Sequence, residues 1–584
     1  MNKRFKFFLL SFGGVFLTFL IYLFLFSQSR FLNFCDTFFM EEMEQNTLTM
    51  HYVVSAPENY GIKAETSSLG SYDIHPYNQK IRILKKYFFL KTIFRNQLSD
   101  DLQRTYDLLE HTLQLQLEGT KYALLEEPLV PNIGIQSQLP ILLAEYSFYT
   151  ESDVIIYLSL LECIPAYFDS LISFEEQKIS NGLFMDESSV RELVTYCQEF
   201  LQNPSKHFLA ETFQERLCTL NLSASQTNFY LEEHASLLKT HLFPSYKKLH
   251  NFLEENLHTG SNADGLFYYP EGTAYYDWLL RSEIGIRHSF EEIESLLDNT
   301  LKKDARIIAA LTKKHPNLLS MRQKIRLDTS NPESLTTHLA AQTSLDFPEI
   351  PEVSFRICNV PVSMESHLSP AFYLVPPIDH WDTNIVYLNQ SCLQEGISFF
   401  TTLAHESYPG HLYQNAYESS QNPHPVERLL YFGGYIEGWA TYAEQLSYCY
   451  APISEELATL LSTTRSMTLN FYSHLDLYIH AYGWTEEDCT AYLKKFGITN
   501  TASVHDMFLL AKQQPGNYLK YYLGYLEICS LKEEAISFLG SNFDQKEFHK
   551  FLLDYGPAPF TLLENYFKDW IKVQEKGFSN SENP

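Results

Sequence analysis

Cysteine pairs, basic residues and short catalytic signatures are what this chain has least of. Its nine cysteines are scattered singly from Cys35 to Cys529, without a Cys-x-x-Cys pair. Most sit among apolar neighbours, as in LLECIP and YLEICSL, where a thiol behaves as a small hydrophobe. A cysteine zinc site is therefore not expected, and the spacings demand no disulfide framework. Lys and Arg total 43 against 71 Asp and Glu, a net charge of −28. That balance opposes binding to nucleic acid or to anionic lipid. There is no Gly-rich phosphate loop, no nucleophile elbow and no internal repeat, so phosphate-cradling and serine-nucleophile chemistry have no local signature.

Aromatic side chains are abundant. The 584 residues include 39 Tyr and 43 Phe and are 45% hydrophobic, enough for a large aromatic-packed core. Lys3, Arg4 and Lys6 precede an uncharged run from Phe7 to Ser27. A helix of that length spans a hydrocarbon core of about 30 Å. With the basic flank inside, residues 1–6 are expected in the cytoplasm, 7–27 as a single-pass signal anchor, and the rest outside the cytoplasm. SQSRFLNF is a poor cleavage site. Bulky Phe34 before Cys35 argues against lipid modification there. Residues 28–60 read as a connector, 61–575 as one large domain, and 576–584 as a polar, disordered tail.

The domain reads as mainly α. Leu102, Tyr106, Leu109, Leu113 and Leu117 recur at helical spacing behind a candidate cap at Ser99. Further helices are expected at 151–171, 187–202, 227–256, 289–313, 332–342, 454–482, 513–537 and 545–573, with a structured Pro-rich loop at 127–140. AFYLVPP (371–377) and TNIVYLN (383–389) break the pattern and read as a β-hairpin. It immediately precedes the most informative segment, His405-Glu406-Ser407-Tyr408-Pro409-Gly410-His411.

Two histidines, an adjacent glutamate and a downstream glutamate are what a hydrolytic zinc site needs: neutral imidazoles and a carboxylate as ligands, with a free carboxylate to take a water's proton. Glu437 and Glu444 lie in the apolar run YIEGWATYAEQL and both are candidates for the downstream ligand. The histidines stand at i and i+6, which on an ideal helix puts them on different faces. Pro409 has no N–H for the carbonyl of His405, and Gly410 tolerates unusual backbone angles. A break at 409–410 is the expected remedy, swinging His411 back toward His405.

HESYPGHLYQ, GYIEGWATYAE, QQPGNYLKYYLGYLE and FHKFLLDYGPAPFTLLE resemble, in order, the motif blocks of the bacterial family catalogued as domain of unknown function 885. Upstream blocks, LSDDLQRTYDLL and GTAYYDWLLRSEIG among them, resemble it too. The likeness spans roughly 40–570. It implies a mostly α-helical zinc peptidase grouped with gluzincin-type metallopeptidases and distantly similar to carboxypeptidase Taq. By that resemblance His405, His411 and Glu437 bind Zn2+ and Glu406 is the general base. Leu412 stands where members commonly carry another histidine, and Tyr522 where a lysine often follows.

Tyr521 and His480 are the candidates for stabilising a tetrahedral oxyanion, with Asp476 orienting His480 from one helical turn away. Arg465 and Lys520 are candidate cations for a substrate carboxylate. The expected function is hydrolysis of peptides by a membrane-tethered enzyme. The rival is a binding or sensory protein that keeps the fold without catalysis.

Overall fold

The computed structural model describes residues 21–581 except 64–65, 73–75, 132, 203, 205–206, 261, 263, 323–326, 328–329, 361, 363–364, 366–368 and 394–395. Most of the expected anchor, and the residues before it, lie outside the described residues. The body is mainly α with one small sheet, as the sequence predicts.

Helices form where apolar residues recur every three or four positions. The first, α1 (Ser27–Gln45), corrects an expectation: 28–60 is not a connector. Phe31, Cys35, Phe38, Phe39 and Met43 make one buried stripe along it, and a second helix, Thr47–Val53, follows. The stripe packs on α2 (Pro76–Leu90) and α3 (Asp100–Gly119), against Leu90, Tyr106 and Leu109. Each such large apolar side chain contributes roughly 1.5–3 kcal/mol when fully buried. Continuity with the apolar run before it hid this helical periodicity. Ser99 is the N-cap residue of α3 but makes no side-chain cap bond; Asp100 and Asp101 face the helix N-terminus instead.

A capping box of Thr150 and Asp153 opens α4 (Glu151–Ser180), nine residues longer than expected. By length and composition α4 could cross a membrane. It runs instead through a second core, with Tyr157, Leu161 and Phe168 fully buried and Lys178 held by Glu127. The stretch expected over 227–256 is Ala224–Leu237 and Phe243–Glu255 joined by one wide turn beside Pro244. Residues 135–145 are helical rather than loop, with Pro140 accommodated inside. The helix expected over 545–573 is two, Gln545–Tyr555 and Phe560–Ser581, divided by Gly556-Pro557-Ala558-Pro559, whose prolines cannot continue the hydrogen-bond ladder. The second continues into the tail expected to be disordered, whose last three residues lie outside the described residues.

The hairpin is present as β2 (Ala371–Leu374) and β3 (Thr383–Leu388), antiparallel with Ala371 opposite Leu388. A strand not anticipated, β1 (Ser354–Asn359), pairs parallel with β3 on its other side. The order β1-β3-β2 leaves β2 at the edge, against α5 (Ile397–Glu406). The largest core gathers α5, α6 (His411–Ser420), α7 (Gly433–Tyr450), α8 (Glu455–Tyr482) and α9 (Asn517–Leu539).

Candidate metal centre

The apolar face of α5 is fixed in this core by Phe399, Phe400, Leu403 and Ala404, which places His405 and Glu406 at the helix end. Ser407 closes the last turn, its N–H and hydroxyl both donating to the Leu403 carbonyl at 2.9 and 2.6 Å. The chain then leaves the helix and re-enters one at His411. Gly410 N–H donates to Ala404 O at 3.0 Å, folding the break back onto α5. A Cβ at Gly410 would stand 1.8 Å from His405 O, so no other residue fits. The fully buried Trp439 holds the break from α7, its indole N–H donating to Pro409 O at 2.9 Å. The outcome is the geometry that six-residue spacing needs: the two imidazole centroids lie 4.9 Å apart with their planes at 83°.

Glu437 arrives on α7. This helix and α9 approach backbone to backbone, because Gly434, Gly438 and Gly524 face each other: a Cβ on Gly524 would lie 1.9 Å from Gly434 O, and one on Gly438 2.5 Å from the Gly524 carbonyl carbon. That contact brings Glu437 and Tyr521 over the histidines. Glu437 Oε2 is 3.7 Å from His405 Nε2 and 3.5 Å from His411 Nε2, and donor atoms of the three residues all lie within 4.8 Å of one another. Two tetrahedral ligands, each about 2.1 Å from a common ion, stand about 3.4 Å apart. Glu437 Oε2 is buried and accepts no hydrogen bond.

The surroundings tune this trio. Glu444, two turns further along α7, lies 3.6 Å from His405 Nδ1 and accepts from Arg465 Nε at 2.7 Å. It therefore takes the role of orienting His405 from its far side. Burial opposes ionisation of Glu444, but Arg465 and His405 outweigh it and hold the carboxyl at about 2. Burial likewise works against Glu437, and the facing imidazoles of His405 and His411 hold it well below the usual carboxylate range. Burial disfavours charge on His405, yet Glu437, Glu444 and Glu406 push it up to about 10. Three carboxylates, Glu406, Glu437 and Glu444, surround the imidazoles, and Arg465 balances one of them. Glu406 is also buried, which raises its pKa, and its Oε2 accepts the Tyr373 N–H of β2 at 2.9 Å. Tyr521 stacks 6.2 Å from His405; burial, then Glu437 and Glu406, push its phenol well above the ordinary value and keep it a donor.

His480 and Asp476 are elsewhere in function, and this corrects an expectation. His480 is fully buried, accepting the Leu266 N–H at Nδ1 (3.1 Å) and facing Ala511 O from Nε2 (3.0 Å); burial lowers it to about 4. Asp476 accepts from Tyr276 Oη at 2.7 Å and Gly516 N–H at 2.9 Å. Both side chains splice α8 to neighbouring backbone and have no valence left for a substrate. Arg465 is committed to Glu444. Lys520 lies 5.7 Å from the Tyr521 ring and 5.9 Å from that of Tyr431. The glycines of α7 and α9 and the clamp by Trp439 were not anticipated; glycines inside apolar helical runs are the signal that marks them.

Residues 79–566 match the family described as bacterial protein of unknown function (DUF885). The chain belongs to that family. Two solved structures share the fold of this DUF885 protein. One, titled a "putative lipoprotein" from Colwellia psychrerythraea, is 19% identical with a TM-score of 0.79, over 94% of this chain and 99% of that one. The other, titled a "putative lipoprotein of unknown function" from Shewanella oneidensis, is 17% identical with a TM-score of 0.63, over 92% and 98%. At these identities the likeness shows the fold alone. No curated protein matches the chain.

Proposed function

We propose that this DUF885 protein is a zinc-dependent peptidase of gluzincin type, tethered to the membrane with its domain outside the cytoplasm. The observation that carries the reading is the orphaned Glu437 Oε2, buried and facing two imidazole nitrogens at tetrahedral-ligand spacing. His405, His411 and Glu437 would hold Zn2+, which when bound acidifies a water and polarises a carbonyl. Glu406, positioned by the Tyr373 amide, takes the water's proton and returns it to the leaving amine. Tyr521 offers its phenolic O–H to the oxygen that gains charge. Glu444 keeps His405 in orientation. The edge strand β2, beside Glu406, offers main-chain partners to an extended peptide.

The tether reading rests on the apolar run 7–27 and agrees with the lipoprotein titles of the two structural neighbours. Cys35 is not the point of attachment, because it is fully buried in α1. The test is turnover of a peptide pool by the full chain in detergent, before chelation, after it, and after zinc is restored. Activity lost and regained with zinc supports the peptidase. A zinc-loaded protein that cleaves no peptide rejects it in favour of the binding or sensory reading.

A further inference from the structure

At the start of α1 the chain leaves Phe24, Leu25 and Phe26 in solvent, with Leu25 69% exposed. Beside them the end of α2 and the turn after it expose Phe88 (63%), Phe89 and Phe94. These form one surface. The rings of Phe24 and Phe94 lie 5.5 Å apart, Phe34 stacks on Phe89 at 5.2 Å, Arg30 donates to Thr92 O at 3.1 Å, and Phe94 N–H donates to Ser27 Oγ at 3.3 Å. Single exposed apolar residues are ordinary; a contiguous aromatic cluster marks an interaction site.

Charge points the same way. The chain carries −28, yet 76–97 holds Lys80, Arg82, Lys85, Lys86, Lys91 and Arg95 and no acidic residue. Lys86, Lys91 and Arg95 are tied to Glu42, Glu110 and Asp107, while Lys85, one helical turn before Phe88 and Phe89, stays exposed. The apolar run 7–27 ends within this same surface, since its last residues supply Phe24, Leu25 and Phe26.

We propose that this face rests on a bilayer containing anionic phospholipid, with the aromatic rings at headgroup depth and Lys85 against lipid phosphates. Rings of this kind favour the membrane–water interface, and lysines there gain from anionic headgroups. The acidic remainder is repelled by the same surface, so the domain docks in one orientation instead of swinging on its tether. The inference rests on the anchor reading in one respect: the run 7–27 delivers this face to the membrane.

The test uses the full chain reconstituted into vesicles of phosphatidylcholine with phosphatidylglycerol. Phe88→Trp and Phe94→Trp are compared with the unsubstituted protein, whose five tryptophans set the background, using lipids brominated near the headgroup. The expected result is quenching at least about twofold above background, as for an interfacial aromatic, falling when Lys85→Glu is added. Co-flotation with the vesicles without added quenching overturns the docked face and leaves the anchor intact. Failure to co-float overturns both. Cross-linking of two chains through Lys85, with no quenching, assigns the face to a second copy and also overturns the proposal. Both phenylalanines are exposed, so the variants are expected to fold; circular dichroism checks this.

Discussion

Two histidine–carboxylate clusters lie in one core, and they behave in opposite ways. Asp476 and His480, a helical turn apart on α8, have their polar atoms taken by backbone groups and by Tyr276. His405, His411 and Glu437 come from three different helices and leave a buried carboxylate oxygen without a hydrogen-bond partner. Spacing along a helix, which made the first pair attractive, says little. Unsatisfied valence at a point where several elements converge says more, because buried polar groups are otherwise paired.

The sharpest way to break this contrast is metal content. The parent is expected to bind about one zinc per chain and to melt higher when zinc is added; Glu437→Gln is expected to bind almost none and to lose that rise. His480→Gln should leave zinc unchanged. Equal zinc in parent and Glu437→Gln would place any metal elsewhere. Glu444→Gln, which loosens the grip on His405, should weaken zinc binding by about 10–100-fold.

Next in size is chemistry at constant metal. Glu406→Gln is expected to keep its zinc and lower peptide turnover by about 10²–10⁴-fold. Normal turnover in that variant would remove Glu406 as the base.

Acid should then distinguish core histidines from site histidines. Burial holds His51, His234 and His549 at about 3 and His480 at about 4. Their folded values are depressed, so the stability they contribute is fully present above the unfolded value near 6.5 and is lost as pH falls toward 4. Each adds about 1.4 kcal/mol per pH unit to that loss. Denaturant midpoints between pH 7 and 4 should fall steeply, and less steeply in His480→Gln by about one histidine's share.

The smallest effects concern the scaffold. Gly438→Ala, whose Cβ would press on Gly524, should cost about 1–3 kcal/mol and also loosen zinc by displacing Glu437. His480→Gln should cost about 1–3 kcal/mol by leaving Leu266 N–H or Ala511 O unpaired, with no effect on the metal.

The helical body was legible because its stripes are periodic, and the hairpin because β-branched and aromatic residues flank IDHWD. Strand β1 was not, since a parallel partner can come from anywhere in the chain and its run SFRICN carries no turn signal. The first helix was hidden by its junction with an apolar run, where a stripe cannot be told from continuous hydrophobicity.

By itself the sequence marked a break at Pro409-Gly410, because Pro409 has no N–H for the His405 carbonyl and Gly410 tolerates backbone angles outside the helix. It also determined the donor types within reach. Tertiary structure decided which glutamate faces the histidines: Glu437 and Glu444 share one helical face and are equivalent in pattern. Only the glycine-to-glycine contact of α7 with α9 and the position of Arg465 place one over the imidazole nitrogens and leave the other behind them.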